Sequence, residues 1–278
     1  MVKNKIILFL PHSSIKLPHI FKKHEKLLSD REIKFFNVSM TDLYTDKLFS
    51  SYRFCNIKSR VSRIVCDCEK FIDDSKECMS KFGLGVVYTK THQGKEFINI
   101  DEKYKNKILN KFYFPVHKKL DKKTKNLNKK TIILVDCHSF SKDIVLDQKG
   151  DFPDICIGIN EKYIDKNIID FTTTYFQTKG YKTRINYPYV GAMIPDNIYD
   201  KNIKYFYAIM IEINRDLYLK NFKKNVDFYK LKKIIYNYLK KLRKIEIGEY
   251  YGKDYHKRKC KYRASRQDLR HNSRCLFR

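Results

Sequence analysis

The stretches Lys5-Ile-Ile-Leu-Phe-Leu-Pro-His12 and Thr131-Ile-Ile-Leu-Val-Asp-Cys-His138 decide the fold. Each is a continuous apolar run that ends at a histidine, and such runs are typical of strands buried on both faces of a sheet. Further strand and helix patterns alternate along the chain. Strands are predicted at 63–68, 85–89, 154–159, 181–185 and 208–213, and helices at about 42–51, 101–120, 161–178 and 223–244. The alternation predicts an α/β fold, in which helices cover a sheet.

The chain is strongly basic: its 278 residues include 59 Lys and Arg against 31 Asp and Glu, a formal net charge of +28. A surplus of this size first suggests a nucleic-acid partner. However, no helix-turn-helix, zinc-finger or RNA-binding signature accompanies it. Almost half of the surplus lies in the lysine tract 118–130 and the segment 249–278. We interpret the charge mainly as surface composition, and we expect nucleic-acid binding, if any, only through the C-terminal segment.

The length and composition predict one domain over 1–248, followed by a basic tail at 249–278 in which the apolar periodicity stops. The apolar run 6–11 is far shorter than the roughly 20 residues that a membrane span needs. We therefore expect a cytoplasmic protein with no membrane partner. The eight cysteines are scattered, and Cys66-x-Cys68 has no matching second pair, which argues against a cysteine zinc site.

Two histidines follow predicted strands and are candidates for chemistry. Ligands of open α/β sheets bind at the carboxyl ends of strands, where His12 and His138 lie. Asp136, two residues before His138, can orient its imidazole. A hydrolytic zinc site needs about three protein ligands, usually His and carboxylate. Asp42 can supply that carboxylate, and Asp46, one turn further along the same helical face, is the competing ligand. Asp42 could instead simply begin a helix.

Glu212 ends the apolar run of another predicted strand. Burial there would raise its pKa towards the range of a general base, unless Glu212 forms an ion pair with Arg215 or another cation. Strand alternation also places Arg63 and Asp67 on one face, where they could form a structural pair, and leaves Lys70 beyond the strand end. Arg63 and Lys70 suit a site that must polarise a carbonyl and hold a carboxylate, respectively.

Together these segments resemble the N-formylglutamate amidohydrolase family, in chain order and over roughly residues 8–219. Seven motifs in the same order are specific evidence for the resemblance, whereas one tetrapeptide would be weak evidence. The motifs are Pro11-His12-Ser13-Ser14, Thr41-Asp42-Leu43-Tyr44, Ser62-Arg63 with Asp67, Asp136-Cys137-His138-Ser139, Pro153-Asp154 with Gly158, Asn186-Tyr187-Pro188-Tyr189-Val190-Gly191, and Glu212 with Leu217-Tyr218.

The resemblance implies a fold similar to zinc carboxypeptidases and aspartoacylase: a mixed central β-sheet flanked by helices, with one Zn²⁺ at its edge. It implies that His12, Asp42 and His138 are the metal ligands. It also implies that Glu212 activates the water and that Arg63 steadies the carbonyl oxygen.

The resemblance also places Asn186 and Gly191 in the loop that closes the substrate pocket. The chain departs from the family pattern at Glu69-Lys70, where many relatives have Asn-Arg, and at Gly191-Ala192, where a Gly pair is usual. Because Lys cannot form the planar, bidentate pair that Arg forms with a carboxylate, these departures allow a substrate other than N-formylglutamate.

The leading hypothesis is therefore a zinc-dependent amidohydrolase acting on a small N-acylated amino acid of the N-formylglutamate type. Glu212 is its general base, and Lys70 binds the substrate. One alternative is a peptidase or peptidoglycan-type amidase with the same metal site. The other is a non-catalytic, basic nucleic-acid-binding protein on this scaffold.

Overall fold

The computed structural model describes residues 3–125, 131–143, 150–199, 201 and 203–248. The predicted tail at 249–278 lies outside the described residues, as does the end of the lysine tract at 126–130. The domain boundary at 248 and the cytoplasmic location stay predictions. Within the described ranges, no helix is both long and apolar enough to cross a membrane.

A six-stranded sheet forms the centre of the protein, in the order β2-β1-β3-β6-β4-β5. All neighbouring strands are parallel except β6 and β4, which are antiparallel, so the predicted mixed central sheet is confirmed. The strands are β1 (Lys5–Leu10), β2 (Cys55–Lys58), β3 (Ile132–Phe140), β4 (Ile155–Gly158), β5 (Thr183–Ile185) and β6 (Phe206–Asn214), and a separate hairpin contains β7 (Leu219–Lys220) and β8 (Lys223–Lys224).

Helices cover both faces of the sheet. They are α1 (His19–Lys23), α2 (Asp30–Met40), α3 (Thr45–Phe49), α4 (Glu102–Ile108), α5 (Phe114–Thr124), α6 (Lys166–Gln177) and α7 (Phe228–Leu242), with a π-helical stretch, Leu109–Tyr113, joining α4 to α5. Successive side chains of a strand point to opposite faces. Accordingly, Ile7 and Leu134 pack in the core that contains α4 and α5, whereas Leu8 and Val135 pack in the core that contains α6 and α7.

Two predicted strands, at 63–68 and 85–89, are wrong. The backbone at 63–68 instead forms turns, in which the amides of Val65 and Cys66 bond the carbonyl of Ser62. The segment is apolar because it is buried against the sheet. A short buried run therefore cannot be assigned to a strand from its hydrophobicity alone.

Helix α2 was not predicted, although its start carries a local signal. Ser29 caps it, accepting a bond from the Glu32 amide, while the Glu32 carboxylate accepts a bond from the Ser29 amide. This reciprocal capping box is readable in the sequence as Ser29-x-x-Glu32. Strand β2 was likewise not predicted.

Replacing Leu239 by Ala is expected to lower the free energy of unfolding by about 2–5 kcal/mol, because the smaller side chain leaves a cavity under α7. Leu239 is fully buried, whereas Leu27 is 48% exposed and provides the matched control. Urea unfolding of Leu27→Ala should cost less than about 1 kcal/mol. Equal losses in the two variants would show that α7 does not pack as described.

Candidate active site

The carboxyl ends of β1, β3 and β6 bring three of the predicted residues together. His12 lies two residues beyond β1, and His138 on β3 is directly opposite Glu212 on β6. The rings of His12 and His138 have centroids 5.0 Å apart. All three side chains are buried. The site therefore stands on adjacent strands, which hold its groups rigidly.

A carboxylate holds the Nε2 atom of each histidine. Nε2 of His12 lies 2.7 Å from Oδ1 of Asp67, and Nε2 of His138 lies 2.8 Å from Oδ1 of Asp136. The predicted pairing of Asp136 with His138 is thus confirmed. A carboxylate can only accept a hydrogen bond, so each Nε2 donates its proton. In a neutral ring, Nδ1 then carries the lone pair and faces away from that carboxylate. The other oxygen of Asp136 accepts a bond from the Met193 amide at 2.8 Å.

Asp42 faces both histidines from the Nδ1 side. Its Oδ2 lies 3.1 Å from Nδ1 of His138 and 3.7 Å from Nδ1 of His12. Its Oδ1 accepts a bond from Nη2 of Arg215 at 2.9 Å. Burial alone would raise the pKa of Asp42, but the two histidines and Arg215 hold it well below its usual range. Asp42 is therefore ionised.

Asp46 does not compete for this position. It belongs to α3 and pairs with Lys58 at 3.4 Å and Lys47 at 3.6 Å. Asp42 precedes that helix instead of sharing a face with it. The expectation that Asp46 lies on the same helical face as Asp42 is wrong, because the helix begins only at Thr45.

Glu69 was not predicted as a site residue, yet its carboxylate lies between the two histidines. Its Oε1 is 3.0 Å from Nε2 of His138, and its Oε2 is 3.3 Å from Nε2 of His12. Donor atoms of His12, Glu69 and His138 lie within 4.8 Å of one another, so this buried group could hold a metal ion. The signal was present in the sequence, since Glu69 stands where many relatives have Asn.

The two histidines sit in a strongly negative environment. Burial and Arg63 lower the pKa of His12, but Asp67, Glu69 and Asp42 outweigh them and raise it. For His138, burial lowers the pKa, while Glu69 and Asp136 raise it well above the ordinary value. Without a bound cation, the cluster therefore holds protons on its imidazoles. A divalent cation could replace those protons.

Glu212 is buried, and its Oε2 has no hydrogen-bond partner within the described part of the chain. Burial, together with the charges of Asp42 and Glu69, raises its pKa to about 8, against the lowering effects of His138 and Arg215. The alternative of a Glu212–Arg215 ion pair is wrong, because Arg215 pairs with Asp42 instead. Arg215 also donates to the Ser39 carbonyl at 2.6 Å and to Oγ of Ser139 at 3.2 Å.

Arg63 is held beside the histidines by two partners. Its Nη2 and Nε donate to Oδ2 of Asp67 at 3.0 and 3.3 Å, and its Nε also donates to the Tyr88 hydroxyl at 3.0 Å. The predicted pair of Arg63 and Asp67 is confirmed, although in a turn and not on a strand. Tyr88 in turn donates to Asp67 at 2.8 Å. Asp67 therefore orients both His12 and Arg63.

The three residues predicted to bind the substrate contact other parts of the protein instead of the histidines. Lys70 forms an ion pair with the buried Glu77, with Nζ 3.1 Å from Oε1. The side-chain amide of Asn186 accepts a bond from the Ile159 N–H at 2.8 Å and donates one to the Ile159 carbonyl at 3.2 Å. Gly191 has a positive φ of 84° and its carbonyl lies directly against Gly158, where any Cβ would collide with it. Asn186 and Gly191 thus fix the loop after β5 against the end of β4.

The model of the N-formylglutamate amidohydrolase family matches residues 4–219. This chain belongs to that family. It is therefore a hydrolase acting on amide carbon–nitrogen bonds, as predicted. The predicted resemblance, over roughly 8–219, is confirmed as to family, while the relation to zinc carboxypeptidases stays a prediction. Among curated proteins, none matches the chain significantly.

Solved structures show the same fold as this member of the N-formylglutamate amidohydrolase family. An N-formylglutamate amidohydrolase from Ralstonia eutropha JMP134 is 14% identical, with a TM-score of 0.72 over 88% of this chain and 94% of that chain. A gene product of Agrobacterium tumefaciens is 19% identical, with a TM-score of 0.60 over 87% of this chain and 92% of that chain.

Proposed function

We propose that this protein hydrolyses the amide bond of a small, acidic N-acyl amino acid of the N-formylglutamate type, with the aid of one Zn²⁺ ion. One observation carries the proposal. The Nε2 atoms of His12 and His138 are each fixed by a carboxylate, which leaves their Nδ1 atoms directed at the ionised Asp42, beside the buried Glu212.

The residues present fit a metal ion. Nδ1 of His12 is buried and has no hydrogen-bond partner in the described ranges. Nδ1 of a neutral His138 and Oδ2 of Asp42 are both acceptors, and they face each other at 3.1 Å, a pairing that needs a proton or a cation between them. Two histidines and one carboxylate are a usual ligand set for catalytic zinc. We therefore assign His12, Asp42 and His138 as the ligands.

Glu69 is the competing third donor. It faces the Nε2 atoms, which are already bonded to Asp67 and Asp136, whereas Asp42 faces the nitrogens left for a metal. For this reason we favour Asp42. Glu69 would then add negative charge next to the ion and strengthen its binding.

When bound, the ion would polarise the scissile carbonyl and lower the pKa of water. The positive charge of the ion would favour the ionised form of Glu212, which accepts the proton from the attacking water; no hydrogen-bond partner of its Oε2 is found within the described residues. The water oxygen bonds to the carbonyl carbon, whose carbon–oxygen double bond becomes a single bond. The carbon–nitrogen bond then breaks as Glu212 returns the proton to the leaving amine, which releases the acid and the free amino acid.

Arg63 is assigned to the developing negative charge on the carbonyl oxygen. Asp67 and Tyr88 hold its Nε and Nη2, and no bond to Nη1 is found within the described residues. A preorganised donor of this kind costs no rearrangement during the reaction. Lys70 is assigned to the substrate carboxylate. Asn186 and Gly191 are assigned to the loop that shapes the substrate pocket.

A peptidase or peptidoglycan-type amidase is the second candidate, because Lys70 shares its charge with Glu77 and offers a weak grip on a single carboxylate. A panel of N-formylglutamate, N-acetylglutamate, short peptides and muropeptides separates the two. We expect the highest kcat/KM on N-formylglutamate, measured as formate release. A preference for peptides or muropeptides would replace the proposed substrate while leaving the metal chemistry intact.

A further inference from the structure

The amino edge of the central sheet lies at the opposite end of the strands from the active site. From Ile132 to His138 along β3, the distance is about 20 Å at roughly 3.3 Å per residue. The edge is formed by the starts of β1, β3 and β6, which are in register at Lys5, Ile132 and Phe206. A ligand at this edge would be independent of the catalytic residues.

Two helices, one from each face of the sheet, end at this edge. The last turn of α5 is tied to β1 by a bond from Nζ of Lys5 to the Lys123 carbonyl, at 2.8 Å. The end of α7 is tied to the same strand by a bond from the Asn4 amide to the Arg243 carbonyl, at 2.9 Å. The ends of α5 and α7 thus lie on either side of the start of β1.

Exposed cations concentrate there. We define the amino-edge face by six of them: Lys122, Lys125, Lys204, Lys240, Arg243 and Lys244, all of which are exposed. In the described part of the chain, none forms an ion pair with a carboxylate, in contrast to Lys58, Lys95 and Lys105 elsewhere. The acids on the neighbouring chain segments include Asp121, Glu246 and Asp196, and Asp196 pairs with His117 of α5 at 3.5 Å.

Helix dipoles explain only part of this charge. Cations near a helix carboxyl terminus are favourable, by about 0.3–1 kcal/mol each. That effect applies to α5 and α7, but Lys204 belongs to neither helix. Like charges gathered without carboxylate partners repel one another, and a bound polyanion would relieve that repulsion.

An exposed aromatic side chain lies beside these cations. Tyr205 is 55% exposed and immediately follows Lys204. Its carbonyl accepts a bond from the Ile132 amide at 2.8 Å, and its φ is 67°, which is uncommon for a bulky residue. Single-stranded nucleic acids stack their bases on exposed aromatic rings that lie next to cations.

We propose that the amino-edge face is a binding site for single-stranded nucleic acid, whose phosphates contact the six cations while a base stacks on Tyr205. This goes beyond the expectation that only the tail could bind nucleic acid. An anionic membrane surface would also attract these lysines, so binding to anionic vesicles is one outcome of the test.

The test measures binding of a fluorescent single-stranded oligonucleotide to the full chain across salt concentrations. The face variant carries Lys122→Glu, Lys125→Glu, Lys240→Glu and Lys244→Glu. The control carries the same change at four exposed lysines elsewhere, Lys22, Lys34, Lys103 and Lys220. The face variant should bind at least about 100-fold more weakly, and its log–log salt slope should fall by roughly 3, at about 0.7 per phosphate contact. Circular dichroism checks that both variants fold.

A second variant tests the stacking. Tyr205→Ala should weaken single-strand binding by about ten-fold and leave binding to a duplex of the same length unchanged. Equal losses in the face and control variants would overturn the proposal, as would the absence of binding by the wild type. So would binding to vesicles of anionic phospholipid that depends on the face lysines while the oligonucleotide does not bind.

Discussion

Replacing Glu212 by Gln should lower kcat on N-formylglutamate by about a thousand-fold while leaving the metal bound. Glutamine keeps the shape of the side chain but cannot accept a proton from water, and general-base catalysis contributes about 10²–10⁴-fold. Glu212 lies on β6 opposite His138, and no hydrogen-bond partner of its buried Oε2 is found in the part of the chain that the structure describes. The variant should also fold well, because glutamine removes the cost of burying a charge at this position.

The matched control is Glu161→Gln, which makes the same chemical change at an exposed position. Its kcat should equal that of the wild type. Steady-state formate release and metal content are measured on all three proteins. If Glu212→Gln retained most of its activity with a full complement of metal, another group would be the base, and the proposed role of Glu212 would be wrong.

Among the carboxylates near the histidines, the loss of Asp42 should reduce the affinity for the metal ion most. Asp42→Asn should weaken metal binding by more than about 100-fold, because Asp42 is assigned as a direct ligand and loses its charge. Glu69→Gln should weaken it by roughly 10–100-fold, the usual effect of a residue outside the ligand shell. Competition with a chromophoric chelator measures both affinities.

Asp46→Asn is the control for this series, because Asp46 lies nearby but pairs with Lys58 and Lys47. Its metal affinity should equal that of the wild type. The opposite order, with metal lost in Glu69→Gln and retained in Asp42→Asn, would assign the ion to the His12–Glu69–His138 group instead.

The sequence predicts the centre of the sheet well and its surroundings poorly. β1 and β3 are long apolar runs, so hydrophobicity alone identifies them. The segment at 63–68 also contains buried apolar residues, but it is buried by packing and not by strand pairing, which a local pattern cannot distinguish. Helix α2 shows the reverse case, because its capping box is readable in the sequence although the apolar pattern alone does not predict the helix.

The same division holds for the site. His12, His138 and Glu212 were predicted because each lies at the carboxyl end of an apolar run. Partners from distant segments were harder to predict: Asp67 is 55 residues from His12, and Arg215 is 173 residues from Asp42. No local spacing reveals such a pairing, which forms only when the strands assemble.

The proposed hydrolysis depends on a single metal ion held at His12, Asp42 and His138. The most direct measurement strips the protein with a chelator, titrates Zn²⁺ back and follows formate release from N-formylglutamate. We expect no activity in the stripped protein, and a linear return to a plateau at one ion per chain. Full activity in the stripped protein would contradict the proposed dependence on metal.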